Sequence, residues 1–355
     1  MSSKPKVYVA GVSMVTPVGV NAETTAMAVK AGISRLQISE YYSKNGKPFT
    51  MALVPEEALP EISYKLKRVE YTTLQMGAML KTSDIAIKDV MQAYPGNKPI
   101  PLFYSGPEAY QDGPYSVSPE FIDYIIKQTN ANIDINSSRL LSLGRAGVID
   151  AIDLAIRYLQ QEGTDYVLVG GADSYQEHDL LDYLDSEDRV LAQDVMNGFA
   201  PGEGAGFLLL TNDINKAMKP NAGVISLSEP GIALENGHMY SSEPYRGDGL
   251  TEAFKKALNG YNGKKIEKIY SSMNGEQFWA KEYGVATSRT KDFFAEDIQL
   301  EHPADCYGDT GGAAGALLIG LAIASLIKQN SNDTYLVTCS SDQAYRAAIC
   351  VNHEL

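Results

Sequence analysis

Apolar positions along this chain fall into two patterns. The first is the short continuous run, rich in β-branched residues and bounded by glycine, proline or polar turns. Residues 6–12, 100–104, 165–171, 206–211, 224–227, 266–272, 334–338 and 347–351 read this way. Runs without a polar alternation predict strands covered on both faces. The second pattern has helical spacing. Asn21 is placed to cap a helix that stops at Gly32, and further helices are predicted over about 71–91, 119–128 and 250–258. Residues 145–160 and 312–327 differ from these, because they are apolar on almost every side. A helix of that kind has to be buried all round. Residues 36–67 read as irregular, and 212–223, with Pro220, read as a linker.

The two apolar helices sit in similar surroundings. In 146–171 and again in 313–340 a Gly/Ala-rich helix is followed by a short polar turn and a strand, Asp-Tyr-Val-Leu-Val or Thr-Tyr-Leu-Val-Thr. Duplicated units of this kind predict two halves, 1–211 and 224–355. They also predict an α/β fold layered α/β/α/β/α, with the apolar helices in the middle layer.

The 355 residues, 44% hydrophobic, suffice for a large core. With 30 basic and 44 acidic residues the formal charge is −14, which argues against nucleic acid and anionic membrane surfaces. The longest apolar run, 313–327, is broken by glycine and one serine, so no bilayer span is expected. The opening Met-Ser-Ser-Lys-Pro-Lys has no secretory apolar core, which predicts a cytoplasmic protein. Cys306, Cys339 and Cys350 are expected as free thiols. The four histidines lack ligand spacing, so neither a metal nor a cofactor is expected.

Five segments then bear on chemistry. Residues 7–19 run Val-Tyr-Val-Ala-Gly-Val-Ser-Met-Val-Thr-Pro-Val-Gly, and 29–34 read Val-Lys-Ala-Gly-Ile-Ser. Residues 166–173 read Tyr-Val-Leu-Val-Gly-Gly-Ala-Asp, and glycine-rich loops occupy 198–206 and 308–315. In this order they resemble the β-ketoacyl synthases, the condensing enzymes of the thiolase superfamily, over nearly the whole chain. The resemblance implies a thiolase-like five-layered fold of two duplicated halves. Members of the family are usually longer, which implies trimmed surface loops here.

The resemblance also implies a catalytic Cys at the tip of the first central helix and two His. At those positions this chain has Arg145, Asn274 and Asp309, and the family's Lys corresponds to Ala304. No catalytic residue is therefore expected. Ser142, three residues before Arg145, is the closest hydroxyl, but no base stands beside it in sequence. Cys339, within Cys-Ser-Ser, lies in the wrong half and reads as a buried structural thiol, as does Cys306. Residues 341–345 replace the family's Gly-Phe-Gly-Gly loop. Phe199, Glu203, Gly308, Thr310 and Tyr345 are the residues expected around whatever pocket remains, and Phe199, Phe278, Trp279 and Tyr345 could equally fill it. Glu203 is expected to accept backbone donors in its glycine turn.

Charge adds one inference. A helix N-terminus favours anions, and an unpaired buried guanidinium is costly. Arg145 is therefore predicted to pair with Asp309. By resemblance, the functional expectation is a non-condensing, chain-length-factor-like partner of an active ketosynthase, as homodimer or heterodimer. An acyl carrier protein would dock on a local basic patch such as 65–68. The alternatives are an adaptor or scaffold that reuses the fold, and an acyltransferase with relocated chemistry.

Overall fold

The computed structural model describes residues 5–66, 73–110, 117–118, 120–161 and 163–355. In the first half it has strand β1 (Lys6–Val15), helix α1 (Ala22–Lys30), a hairpin of β2 (Gln37–Tyr42) and β3 (Pro48–Met51), and α2 (Leu74–Val90). These are followed by β4 (Leu102–Ser105), α3 (Phe121–Thr129), β5 (Arg139–Leu141), α4 (Gly147–Leu159), β6 (Val167–Ser174), α5 (His178–Ser186) and β7 (Glu203–Thr211). The second half has β8 (Val224–Ser228), β9 (Gly231–Leu234), α6 (Asp248–Leu258), β10 (Ile266–Ser271), α7 (Gln277–Arg289) and β11 (Phe294–Glu301). It ends with α8 (Ala304–Tyr307), α9 (Ala314–Gln329), β12 (Thr334–Ser340) and β13 (Tyr345–Glu354).

Strand order reveals the duplication. One half runs β5-β4-β6-β7-β1 and the other β11-β10-β12-β13-β8. Corresponding pairs agree in direction: two parallel pairs at the outer edge of each half, then two antiparallel pairs. The halves join where Lys6–Tyr8 pair with Ser228–Ser226. β9 adds to β13.

Burial explains the layering. Inward residues of both sheets form a single core cluster with α4 and α9, for example Val169, Ile152, Leu317, Val337 and Ile349, all fully buried. Here α4 packs on β4 and β6, and α9 on β7 and β12. The outer faces are closed separately, by α2 and α3 on the first sheet and by α6 on the second. Every residue of β6 and β7 is buried, as runs with no polar alternation require.

The Asn21 side chain accepts the Thr24 N–H at 2.8 Å and starts α1. Departures from the sequence expectations have physical reasons. The helix expected from residue 145 begins at Gly147, because Gly144–Ala146 form a tighter 3-10 turn. Residues 36–67, expected to be irregular, contain the β2–β3 hairpin, which buries little. The sequence reading omitted α5, α7 and β11, and the short elements β5, β9 and α8. α7 buries only Trp279, Glu282 and Ala286, and β11 is an edge strand carrying acidic residues, so neither has a strong apolar period. One detail of the apolar-run reading needs correction. The 19-residue stretch Gly311–Gln329 is long and apolar enough to cross a membrane, but it is the central helix and its entry turn, most of it buried within the fold. Parts of two expected helices (71–72 and 119) and two residues of the basic patch (67–68) lie outside the described residues.

Candidate functional site

The tips of α4 and α9 meet at the centre of the molecule. Before α4, the hydroxyl of Ser341 donates to the Leu143 carbonyl at 2.5 Å and accepts the Ala146 N–H at 3.0 Å, which fixes the turn that carries Arg145. Before α9, the loop around Asp309 interlocks with the other glycine-rich loop. Asp309 N–H donates to the Ala200 carbonyl, and Gly202 N–H to the Asp309 carbonyl, both at 2.8 Å. Glycine is required on both sides. Gly308 has φ +76°, and a Cβ on Gly202 would lie 2.5 Å from the Tyr307 carbonyl oxygen.

Arg145 is 2% exposed. Each of its three side-chain nitrogens donates. Nε reaches the Ser340 carbonyl at 2.9 Å, Nη1 the Asp309 carboxylate at 3.0 Å, and Nη2 the Asp342 carboxylate at 2.5 Å. Its guanidinium lies 4.7 Å from the centre of the Trp279 ring, within cation–π range.

A second buried arginine completes the network. Arg189 grips Glu276 through two parallel bonds of 2.7 and 2.9 Å, and reaches both oxygens of Asp342 at 2.6 and 3.1 Å. Asp342 thus bridges the two guanidinium groups, and it also accepts the Tyr110 hydroxyl at 2.7 Å. Asn274 uses its amide to tie the two sides, donating to Asp309 at 2.8 Å and Glu276 at 3.1 Å. Trp279 Nε1 donates to Glu276 at 2.9 Å. Glu108 accepts the backbone N–H groups of Asp342 and Gln343, each at 2.8 Å, and so anchors the loop that brings Asp342 in.

The electrostatics follow from burial and proximity. Burial would raise the Asp342 carboxyl, but Arg145 and Arg189 outweigh it and hold it well below the usual carboxylate range. Burial would also lower both guanidinium groups, yet Asp309 and Asp342 hold Arg145 charged, and Asp342 and Glu276 do the same for Arg189. Glu108 is pushed up to about 7, first by burial and then by Asp342. Burial likewise takes Asp173 and Glu203 to about 7. Cys339, in β12 and 1% exposed, is pushed up to about 12 by burial and is not a ready nucleophile.

The structure brings together Arg145, Asn274 and Asp309, and the Arg145–Asp309 pair expected from charge is present. Ala304 opens α8 and, with Gly308 and Thr310, lines a cavity of about 20 Å³ beside Asp309. Phe199 is buried against Tyr175 and lies 5.4 Å from the Arg189 guanidinium. Glu203 stands apart from the network, accepting the Val54 N–H at 3.4 Å and the Gln176 amide at 3.0 Å rather than donors of its own glycine turn. Tyr345 is half-buried at the start of β13 and contributes its carbonyl to the Ser341 N–H. Ser142 lies just after β5, and its carbonyl accepts the Ala109 N–H at 3.4 Å.

Asp342, Arg189, Glu276 and Glu108 were missed by sequence reasoning. One signal was available. A buried guanidinium has five N–H donors, and a single aspartate cannot satisfy them. Further acceptors had to come from neighbouring loops, and the replaced 341–345 loop carries Asp342.

No protein-family model matches the chain, and no curated protein matches it in sequence. Solved structures do match. The ishigamide ketosynthase/chain length factor superposes with TM-score 0.74 at 15% identity, covering 99% of each chain. A ketosynthase in complex with its chain length factor from Xenorhabdus doucetiae gives TM-score 0.72 at 17% identity, covering 99% of this chain and 100% of that one. The ketosynthase from module 6 of the bacillaene synthase of Bacillus subtilis 168 gives 0.76 at 14% identity, covering 99% of this chain and 72% of that one. The chain therefore has the thiolase-like ketosynthase fold.

Proposed function

We propose that this chain is a non-condensing, chain-length-factor-like partner of an active ketosynthase in fatty-acid or polyketide-type synthesis. One observation carries the reading. Where the ketosynthase resemblance places the nucleophile, a buried guanidinium stands with all three nitrogens committed to Ser340, Asp309 and Asp342. A guanidinium stays protonated in a protein and cannot attack a thioester. The residues at the two His positions, Asn274 and Asp309, serve the same ion network. Two of the matching structures contain a ketosynthase and a chain length factor, which supports pairing with a ketosynthase. A third holds an acyl-carrier protein in complex with its ketosynthase, which supports contact with such a carrier. In this reading the chain acts in the cytoplasm without nucleic acid, membrane, metal or cofactor, and residues 212–223 join its two halves.

The test is size-exclusion chromatography of the chain co-expressed with an active ketosynthase from the same source. A stable one-to-one heterodimer is expected. A homodimer indifferent to that ketosynthase would overturn the reading and favour a scaffold. The cavities of about 20 Å³ flanking the network favour that second reading, since they hold a water but no acyl chain.

A further inference from the structure

A larger recess opens at the C-terminal half of α9, away from Asp309 at its other end. α1 packs beside α9 but leaves Met27 58% exposed. Between the two helices and the β10–β11 edge lies a recess of about 670 Å³. Val12, Ala26, Met27, Leu321, Ala324 and Ile327 make its walls apolar.

The rim carries charges of both signs, and its two unpaired lysines stand together. Lys30 closes α1, Lys328 closes α9, and Lys268 projects from β10. Two carboxylates also line the recess, Glu23 and Glu301. Glu301 lies 3.3 Å from Lys268. Lys30 and Lys328 form no ion pair among the described residues. They stand beside each other instead, and the contact with Lys328 pushes the Lys30 ammonium below its ordinary value. The C-terminal helix dipoles account for a lysine at each helix end. They do not account for two unpaired lysines from different helices standing side by side over one apolar recess in a chain of formal charge −14.

We infer that this recess binds a single-chain alkyl carboxylate, its tail on the apolar walls and its headgroup between Lys30 and Lys328. Size and lining both suit such a ligand: the volume falls in the range of small-molecule sites, and the walls are apolar with a few convergent polar groups. An anion between the two ammonium groups also relieves their mutual repulsion, which a neutral ligand cannot do. The inference is independent of the proposed function, because the recess lies outside the ion network.

Isothermal titration of the full chain with dodecanoate, below its micelle concentration, tests it. Saturable one-site binding is expected, with dodecanol weaker by about tenfold. The double variant Lys30→Ala/Lys328→Ala should lose about tenfold for dodecanoate and keep its affinity for dodecanol. Ala324→Phe should abolish both. The lysine variant changes exposed side chains only, so it remains informative if Ala324→Phe does not fold. Absence of dodecanoate binding, or equal binding of dodecanol, would overturn the inference. So would self-association that Ala324→Phe removes, which would mean that a second copy covers the recess. Sedimentation with phosphatidylglycerol vesicles that the lysine variant abolishes would assign the recess to a bilayer surface and overturn it as well.

Discussion

Arg145 and Asp309 meet at 3.0 Å at the tips of the two central helices, and Asp342 holds the same guanidinium from its other side at 2.5 Å. The pair is therefore half of a clamp. Removing one member of a buried ion pair costs about 3–5 kcal/mol, because its partner is left charged in a dry site. Arg145→Met should lower stability in urea unfolding by about that amount. Arg145→Met with Asp309→Leu should recover part of the loss. Recovery stays incomplete because Asp342 has still lost one of its two arginines. Full recovery by the double variant would show that Asp342 contributes nothing through Arg145.

Asp342 is the hub, since both guanidinium groups and the Tyr110 hydroxyl end on it. Asp342→Asn should destabilise more than Asp309→Asn, measured side by side at neutral pH. The reverse order would place the centre of the network at Asp309.

Stability should peak at mildly acidic pH. Glu203, pushed up to about 7 by burial, binds its proton more tightly in the folded chain than in the unfolded one. Its favourable contribution is complete below the unfolded value and is lost as pH rises through about 7. Asp173 behaves likewise. Asp342 has the opposite sign: its contribution is present above the unfolded carboxylate value and is lost as pH falls towards its depressed folded value. A maximum at about pH 4 follows. Glu203→Gln should flatten the decline between about pH 5 and pH 8 by up to roughly 3 kcal/mol. An unchanged profile would show that Glu203 titrates normally.

The interlocked loops make a steric prediction. A Cβ at Gly202 would lie 2.5 Å from the Tyr307 carbonyl oxygen and 2.8 Å from that of Asp309. Neither backbone atom can move without shifting Asp309, so Gly202→Ala should cost about 1–3 kcal/mol. In a background that already carries Arg145→Met the cost should shrink, because the loop's position matters less there. Equal cost in both backgrounds would separate the loop from the network.

Much of the architecture was legible because its signals are local. Continuous apolar strands and a helix such as α9, buried along nearly its whole length, permit few arrangements, and the strand orders of the two halves bear out the duplication. α4, expected to be buried all round as well, instead turns Asp153 and Arg157 towards solvent. Arg145–Asp309 was legible from charge, since a buried guanidinium demands an anion. The remaining partners were not, for a physical reason. Arg189 and Glu276 lie in polar loop segments that read as solvated until the chain closes over them. Asp342 enters on a loop that Glu108, more than two hundred residues away in sequence, holds by two backbone bonds. The alkyl recess was equally hidden, because Lys30 and Lys328 are ordinary helix-ending lysines until α1 and α9 are laid side by side.

The most direct test of the account is the mass of the intact chain after incubation with acetyl-coenzyme A and with malonyl-loaded acyl carrier protein. The account predicts an unchanged mass and no release of carbon dioxide, because a guanidinium stands where the ketosynthase resemblance places the nucleophile. An added acyl group mapped to any side chain beside the tip of α4 would contradict it.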